Sequence, residues 1–370
     1  DAAKPGRLMG RVDACSEHGG PRALSDVPSG AVLSGAGEAP PLELRVIAQL
    51  FGDNTEFFGP FRTGETQAGG WLRAFLRWPL SEKADLELGA AGRELFGSEK
   101  ALEEVRPLLA VRIGTEASQV RIGALAAPAS HRAFGPENQS PHGLLPPLQI
   151  ETLSLTRPLE QGFQWSGTTP ARNHDVWISW QRLNTAEHRE RLNAGFSFEK
   201  SSGRAGLLAQ GHIVHEGGQL YRSGVVSDSA AFLAGPRIRA TRGSVEMRVL
   251  GAWAISILEP DRARSSDGVR GSGFLLLPEV RRAALRVHAL YFRSRDFVKV
   301  EGDPNYGAER LDGVRVKAWR DYFEAGVAHE FRPAPALRVE VSARVHATAG
   351  EVDYSYRVLA SVDAARALKH

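Results

Sequence analysis

The stretch LRVEVSARVHAT, residues 337–348, sets Leu337, Val339, Val341, Ala343, Val345 and Ala347 on one face and Arg338, Glu340, Ser342, Arg344, His346 and Thr348 on the other. A strict period of two is the mark of a β-strand with two unlike faces. The same period recurs at 192–199, where Leu192, Ala194, Phe196 and Phe198 oppose Asn193, Gly195, Ser197 and Glu199. At 42–50, Leu42, Leu44, Val46, Ala48 and Leu50 oppose Glu43, Arg45 and Gln49; near 285, Leu285, Val287, Ala289 and Tyr291 oppose Arg286 and His288. Ile47 and Leu290 are apolar exceptions on the polar faces.

Working outward from these stretches, strands are expected near 42–52, 66–79, 84–96, 104–114, 118–126, 160–168, 173–183, 189–200, 204–216, 227–240, 244–258, 268–280, 284–296, 315–330, 336–348 and 351–361. Connections after odd-numbered strands are mostly long, those after even-numbered strands mostly tight. That rhythm predicts an all-β, closed, antiparallel up-and-down transmembrane β-barrel of about 16 strands (14 to 18), with short periplasmic turns, long external loops and both termini periplasmic. A soluble sandwich or propeller shares the alternation, because a half-buried strand also needs one apolar face. Strands longer than the usual five or six residues favour the barrel. So do aromatics near strand ends, among them Trp71, Trp78, Trp165, Trp319, Tyr354 and Tyr356, which suit membrane-interface girdles.

Composition narrows the classes further. The chain has 370 residues, 42% of them hydrophobic, and no apolar run of about 18 residues, which excludes a bundle of membrane helices. A barrel escapes that test because only alternate residues face lipid. The net charge of +3 comes from basic residues spread along the strands, not clustered, so no nucleic-acid partner is expected. Cys15 alone forms no disulfide framework. A first residue of Asp1 is expected to follow removal of a signal peptide. Residues 1–41, rich in Gly, Pro and Ala, are expected to form a flexible periplasmic extension or a plug, 42–361 the barrel and 362–370 a tail.

This pattern resembles the porin-type barrels of Gram-negative outer membranes over residues 42–361, and the segment EVDYSYRVLASVD at 351–363 resembles their closing strand. The resemblance implies outer-membrane lipid around the wall and solutes inside. Arg45, Arg73, Arg77, Arg93, Arg112, Arg121, Arg286, Arg338, Arg344 and Glu340 are expected to line the lumen and set selectivity, since rings of cations favour anions. Their pairing with acidic neighbours across strands is the competing expectation. Glu56, Phe57, Phe58, Arg62 and Glu65 are candidates for a constriction, and the long connection 127–159 for a cap or an inward fold.

The acidic segment 296–312, with Asp296, Glu301, Asp303, Glu309 and Asp312, lacks EF-hand spacing and is expected to be a solvated loop, with no metal and no cofactor. His212, His215, His288 and His346 are taken as polar wall residues. Neither G-x-S-x-G nor H-E-x-x-H is present, so no catalytic residue and no enzyme is expected. The expected function is an outer-membrane channel for small hydrophilic solutes, with anions favoured. The alternatives are a conduit for anionic polysaccharide export working with periplasmic partners, or a plugged scaffold barrel that binds partner proteins.

Overall fold

A computed structural model describes residues 41–126 and 140–368; the expected extension or plug at 1–40 and the first part of the long connection, 127–139, lie outside the described residues. Sixteen strands follow in chain order: β1 Glu43–Glu56, β2 Glu65–Ser81, β3 Ala84–Leu95, β4 Glu104–Thr115, β5 Ser118–Ala124, β6 Gln161–Thr169, β7 Arg172–Arg182, β8 Glu190–Ser202, β9 Ala205–Gly217, β10 Ser227–Arg242, β11 Val245–Glu259, β12 Val269–Arg282, β13 Leu285–Arg295, β14 Arg320–Ala334, β15 Leu337–Thr348 and β16 Glu351–Ala367. Each pairs antiparallel with its neighbours, and β1 closes the barrel on β16 from Glu43↔Ala367 to Glu56↔Tyr354. Closure leaves no sheet edge, which a strand in lipid requires because hydrocarbon offers no hydrogen bonds.

The expected barrel and its strand count are thus observed. Most boundaries agree within two residues, and four differ by more: β1 runs on through Glu56, β14 begins at Arg320 and ends at Ala334, and β16 continues past 361 to Ala367. The last difference has a simple cause, since β1 starts at Glu43 and offers its first residues as a ladder for Arg366 and Ala367. Tight turns use residues that accept a positive φ, as Gly203 and Gly243 do between β8 and β9 and between β10 and β11.

The outward face is apolar: Leu72, Leu109, Ile122, Trp253, Val341 and Tyr356 are all exposed. So large an apolar band is at home in lipid and a liability in water. Val341, at the middle of β15, gives a direct test of facing. Val341→Arg should cost about 2–4 kcal/mol in a bilayer, read as a lower urea midpoint for unfolding from liposomes; an unchanged midpoint would contradict the facing.

The inward face departs from the sequence-based expectation of a polar, water-filled wall. Leu208, Leu233, Leu250, Leu275, Leu277, Leu290 and Phe292 all point inward, and they form one buried cluster with Leu144, Leu145 and Leu148 from the β5–β6 connection. Around that cluster the wall is apolar on both faces, as in Phe274–Leu277. A second cluster, Ile47, Trp71, Phe75, Leu108, Ala110 and Ala124, lies inside β1–β5. Ile47 and Leu290, the two exceptions on the polar faces, are therefore packing residues.

Candidate functional site

Two connections fold into the barrel from the long-loop end. Residues 140–160 leave β5 and cross the lumen. On one side the Leu145 N–H donates to Gln210 of β9 (2.9 Å) and the Gln210 amide donates back to the Gly143 carbonyl (2.9 Å). On the other side, six and seven strands round, Glu151 takes two hydrogen bonds from Arg344 of β15 (2.9 and 2.5 Å) and one from Arg357 of β16 (3.2 Å). Residues 297–308 lie against this segment: the Ile150 N–H donates to the Glu301 carbonyl (2.6 Å), and the Asp303 N–H to that of Pro146 (2.9 Å). Together they form a plug with an apolar middle and ionic pins.

The pins are buried charge pairs. Glu301 accepts from Arg157 (2.8 Å), Arg191 (2.7 Å) and Asn193 (2.8 Å), and Asp303 accepts from Arg62 (2.7 Å). The expected solvated acidic loop is therefore corrected at these two residues: they lie inside the barrel because each finds an arginine there. Burial alone would raise the Glu301 pKa, but Arg157, His212 and Arg191 outweigh it and hold the carboxyl well below the usual range. Glu151 is likewise kept low against its burial, by Arg344 and Arg357. His142 lies between Asp175 and Glu160, at 2.8 Å from each, stacked on Trp177 at 3.7 Å. Burial would lower its pKa, but the two carboxylates push it up to about 9. With both ring nitrogens donating, His142 is a held cation and has no lone pair for base chemistry.

Most of the arginines read from the sequence sit on acidic partners. Arg45 bonds Asp363 (2.9 Å), Arg77 and Arg112 share Asp85, Arg121 bonds Glu87 (2.5 Å), and Arg286 pairs with Glu340 (3.4 Å). Arg93 with Glu104 and Arg338 with Glu330 are looser, both at 3.9 Å. Arg344 holds the plug, and Arg73 donates to the backbone carbonyls of Leu125 and Pro158. Of the constriction candidates, Glu56 ends β1 and Glu65 begins β2, while Phe57 and Arg62 turn inward at the rim and Phe58 stands 70% exposed. The residues that cross the lumen come instead from 140–160 and 297–308.

Beneath the β1–β2 loop, three adjacent strands bring four polar side chains into one chain of hydrogen bonds. Glu324 and Tyr322 come from β14, His346 from β15 and Ser355 from β16. Ser355 Oγ lies 2.9 Å from His346 Nε2, His346 Nδ1 lies 2.7 Å from the Tyr322 hydroxyl, and that hydroxyl donates to Glu324 at 2.9 Å. His288 of β13 meets the other Glu324 oxygen at 2.9 Å. All are buried, and Phe57 packs edge-on against His346 with ring centroids 4.9 Å apart. A hydroxyl, an imidazole and a carboxylate in series are the parts that acyl transfer needs.

The fold and its apolar belt define a β-barrel of the outer-membrane class. Among solved structures, the chain is similar to OmpT of Vibrio cholerae lacking loop L8, at 9% identity and TM-score 0.54 over 88% of this chain and 100% of that one. It is also similar to OccK8 (OprE) of Pseudomonas aeruginosa, at 10% identity and TM-score 0.50 over 88% and 98%. At such identities the likeness is one of fold. No curated protein matches the chain in sequence. The family description "Lipid A 3'-O-deacylase-type" matches residues 35–370, and the chain belongs to that family. This overturns the expectation that the protein is no enzyme. That expectation rested on missing linear motifs, and a site assembled across strands leaves none.

Proposed function

We propose that this protein is an outer-membrane hydrolase that removes an ester-linked acyl chain from a lipid A-type glycolipid. The observation that carries the reading is the family match over residues 35–370. The long-loop end is then external, both termini face the periplasm, and the rim cluster stands level with the outer leaflet, where such a substrate lies. The lipid-facing wall supplies what a water-soluble esterase lacks, a surface on which acyl chains already rest.

Expression of the full chain in a Gram-negative host, followed by mass spectrometry of its extracted lipid A, should show loss of the single acyl group at the 3' oxygen. Unaltered lipid A beside abundant folded barrel would sink the reading.

A solute pathway through the same barrel is a second reading, favoured by the half-exposed charged wall at the tight-turn end, where Arg45 and Asp363 meet. Its arginines carry acidic partners, so weak selectivity is expected, and solutes would have to pass the plug.

A further inference from the structure

We propose that the outer face of β12–β14, at the long-loop end, binds the phosphate-bearing headgroup of an outer-leaflet glycolipid through Arg270, Arg293 and Arg295. This deepens the reading above and rests on it for the external position of that end. In β12 the buried Val269, Leu275 and Leu277 face inward, so Arg270 shares the outward face with Phe274 and Leu276. In β13 the buried Leu290, Phe292 and Ser294 turn Arg293 and Arg295 outward. The registers set Phe274 beside Arg293, Arg293 beside Asp321, and Ser272 beside Arg295. Arg295 is thus two residues from Arg293 on one strand and diagonal to Arg270 on the next. Such positions lie about 7–8 Å apart, so the three side chains share one patch. Toward mid-membrane the same face continues with Phe274, Leu276 and Phe323, all exposed. The patch therefore borders the apolar band, at the level where lipid headgroups begin.

These arginines differ from those inside the barrel in what they bond. Arg62, Arg344 and Arg357 each have a carboxylate at 2.5–2.9 Å. Arg293 is 51% exposed and 3.5 Å from Asp321 Oδ1, an oxygen that already accepts from the Tyr291 hydroxyl at 2.5 Å. Arg295 is 58% exposed and 3.6 Å from Asp296. Arg270 is exposed and has no carboxylate at ion-pair distance among the described residues. Most of the N–H groups of the three are therefore unspent.

The Arg293 guanidinium also lies over the exposed Trp319 ring, 5.5 Å from its centroid. Stacking takes up a face of the guanidinium and leaves its edge free, and that fixed fork of donors matches the oxygens of a phosphate. At a membrane surface the anions within reach of such a fork are those of lipid headgroups, and each basic side chain there adds to the attraction. A phosphorylated sugar headgroup, with its acyl chains on Phe274, Leu276 and Phe323, meets both halves of this surface. β14 joins the patch to the rim cluster: Asp321 and Phe323 face outward while Tyr322 and Glu324 face the interior. A headgroup held here lies against the wall directly behind that cluster.

The test uses the full-length protein in a non-ionic detergent, with lipid A carrying its phosphates as the probe. Native mass spectrometry reads both whether the lipid is bound and whether it has lost an acyl chain. The triple variant Arg270→Gln, Arg293→Gln, Arg295→Gln should bind about a hundredfold more weakly than the wild type, at about fivefold for each charge. Lipid A stripped of its phosphates should bind the wild type as weakly, and the triple variant should no longer distinguish the two lipids. Lys200→Gln, Arg204→Gln, Arg242→Gln removes the same charge from exposed positions at the tight-turn end and should bind as the wild type does. Heat-modifiable gel mobility confirms that each variant is folded; if the patch variant fails that check, the two lipids compared on the wild type decide. Equal loss in both triple variants would mean attraction to net charge alone and would overturn the proposal. So would displacement of lipid A by an equal amount of phosphatidylglycerol, whose phosphate is not borne on a sugar. A wild type that shortens lipid A, beside a patch variant that binds it as tightly, overturns the patch while the hydrolase reading stands. A wild type that holds lipid A through its phosphates yet returns it at full mass has the reverse meaning: the patch is upheld and the hydrolase reading falls.

Discussion

Glu151→Ala should undock the plug while leaving the barrel closed. Glu151 is 2% exposed, takes two hydrogen bonds from Arg344 and one from Arg357, and is the point where the 140–160 segment meets the far wall. Its removal takes from Arg344 both of its close carboxylate bonds, leaving Glu324 at 3.8 Å and the more distant charge of Asp53. Removing one partner of a buried pair costs about 3–5 kcal/mol, because the charge left behind has lost its solvation and gained nothing. The wall strands are held by continuous ladders and the plug by a few pins, so the loss falls on plug docking. Limited proteolysis should cut near Arg157 in the variant and spare the wild type, and planar bilayers should show conductance that the wild type lacks. The double variant Glu151→Ala, Arg344→Met removes both charges and should recover much of the protection. Equal protection in the wild type and the single variant would show that the ionic pins do not hold the plug.

Why the barrel could be read from the sequence and the plug could not follows from the same physics. A strand between lipid and lumen writes its two environments into alternate residues, so Leu337–Thr348 announces itself. The plug segment SPHGLLPPLQIETLSLTRP faces the barrel interior on all sides, has neither period, and its prolines suggest an ordinary loop. The clue that was available lay in the wall. Ile47 and Leu290 break the polar face, and Phe274–Leu277 is apolar on both faces, which a water-filled lumen would not require.

The rim cluster lay within reach in another way. Ala349 and Gly350, both at positive φ (54° and 90°), make the two-residue turn that joins β15 to β16. That turn fixes Thr348↔Glu351 and, by counting back, His346↔Asp353 and Arg344↔Ser355. Placing Ser355 diagonal to His346 therefore needed only the turn. Placing Glu324 beside His346 needed the β14–β15 register, which passes through an irregularity between Phe331 and Ala334 at the other end of the hairpin. The arginines show the limit of counting types: their alternation gave the facing, but only the registers show which carboxylate each one meets.

The plug also carries two groups that respond to pH in opposite directions, and separating them gives the second large effect. Burial pulls the Lys299 pKa from 10.5 down to about 7, Glu301 opposing and Arg191 and Arg157 adding to the shift. Between those pH values an undocked plug binds the proton that the docked one has released, so docking strengthens as pH rises from 7 towards 10.5. His142 is raised from 6.5 to about 9. Its contribution is fully present below 6.5 and is lost as pH rises through 9. From about pH 7 to 9 the two offset each other, and the wild-type plug should change little. Lys299→Met keeps the apolar stem and removes one of the pair. Docking should then weaken steadily from pH 6.5 to 9, by about 3 kcal/mol at 1.36 kcal/mol per pKa unit. His142→Gln should do the reverse, its plug tightening over the same range. Protease protection of residues 140–160 measured against pH reads all three proteins. A flat profile in Lys299→Met would mean that His142 is not held as a cation between Asp175 and Glu160.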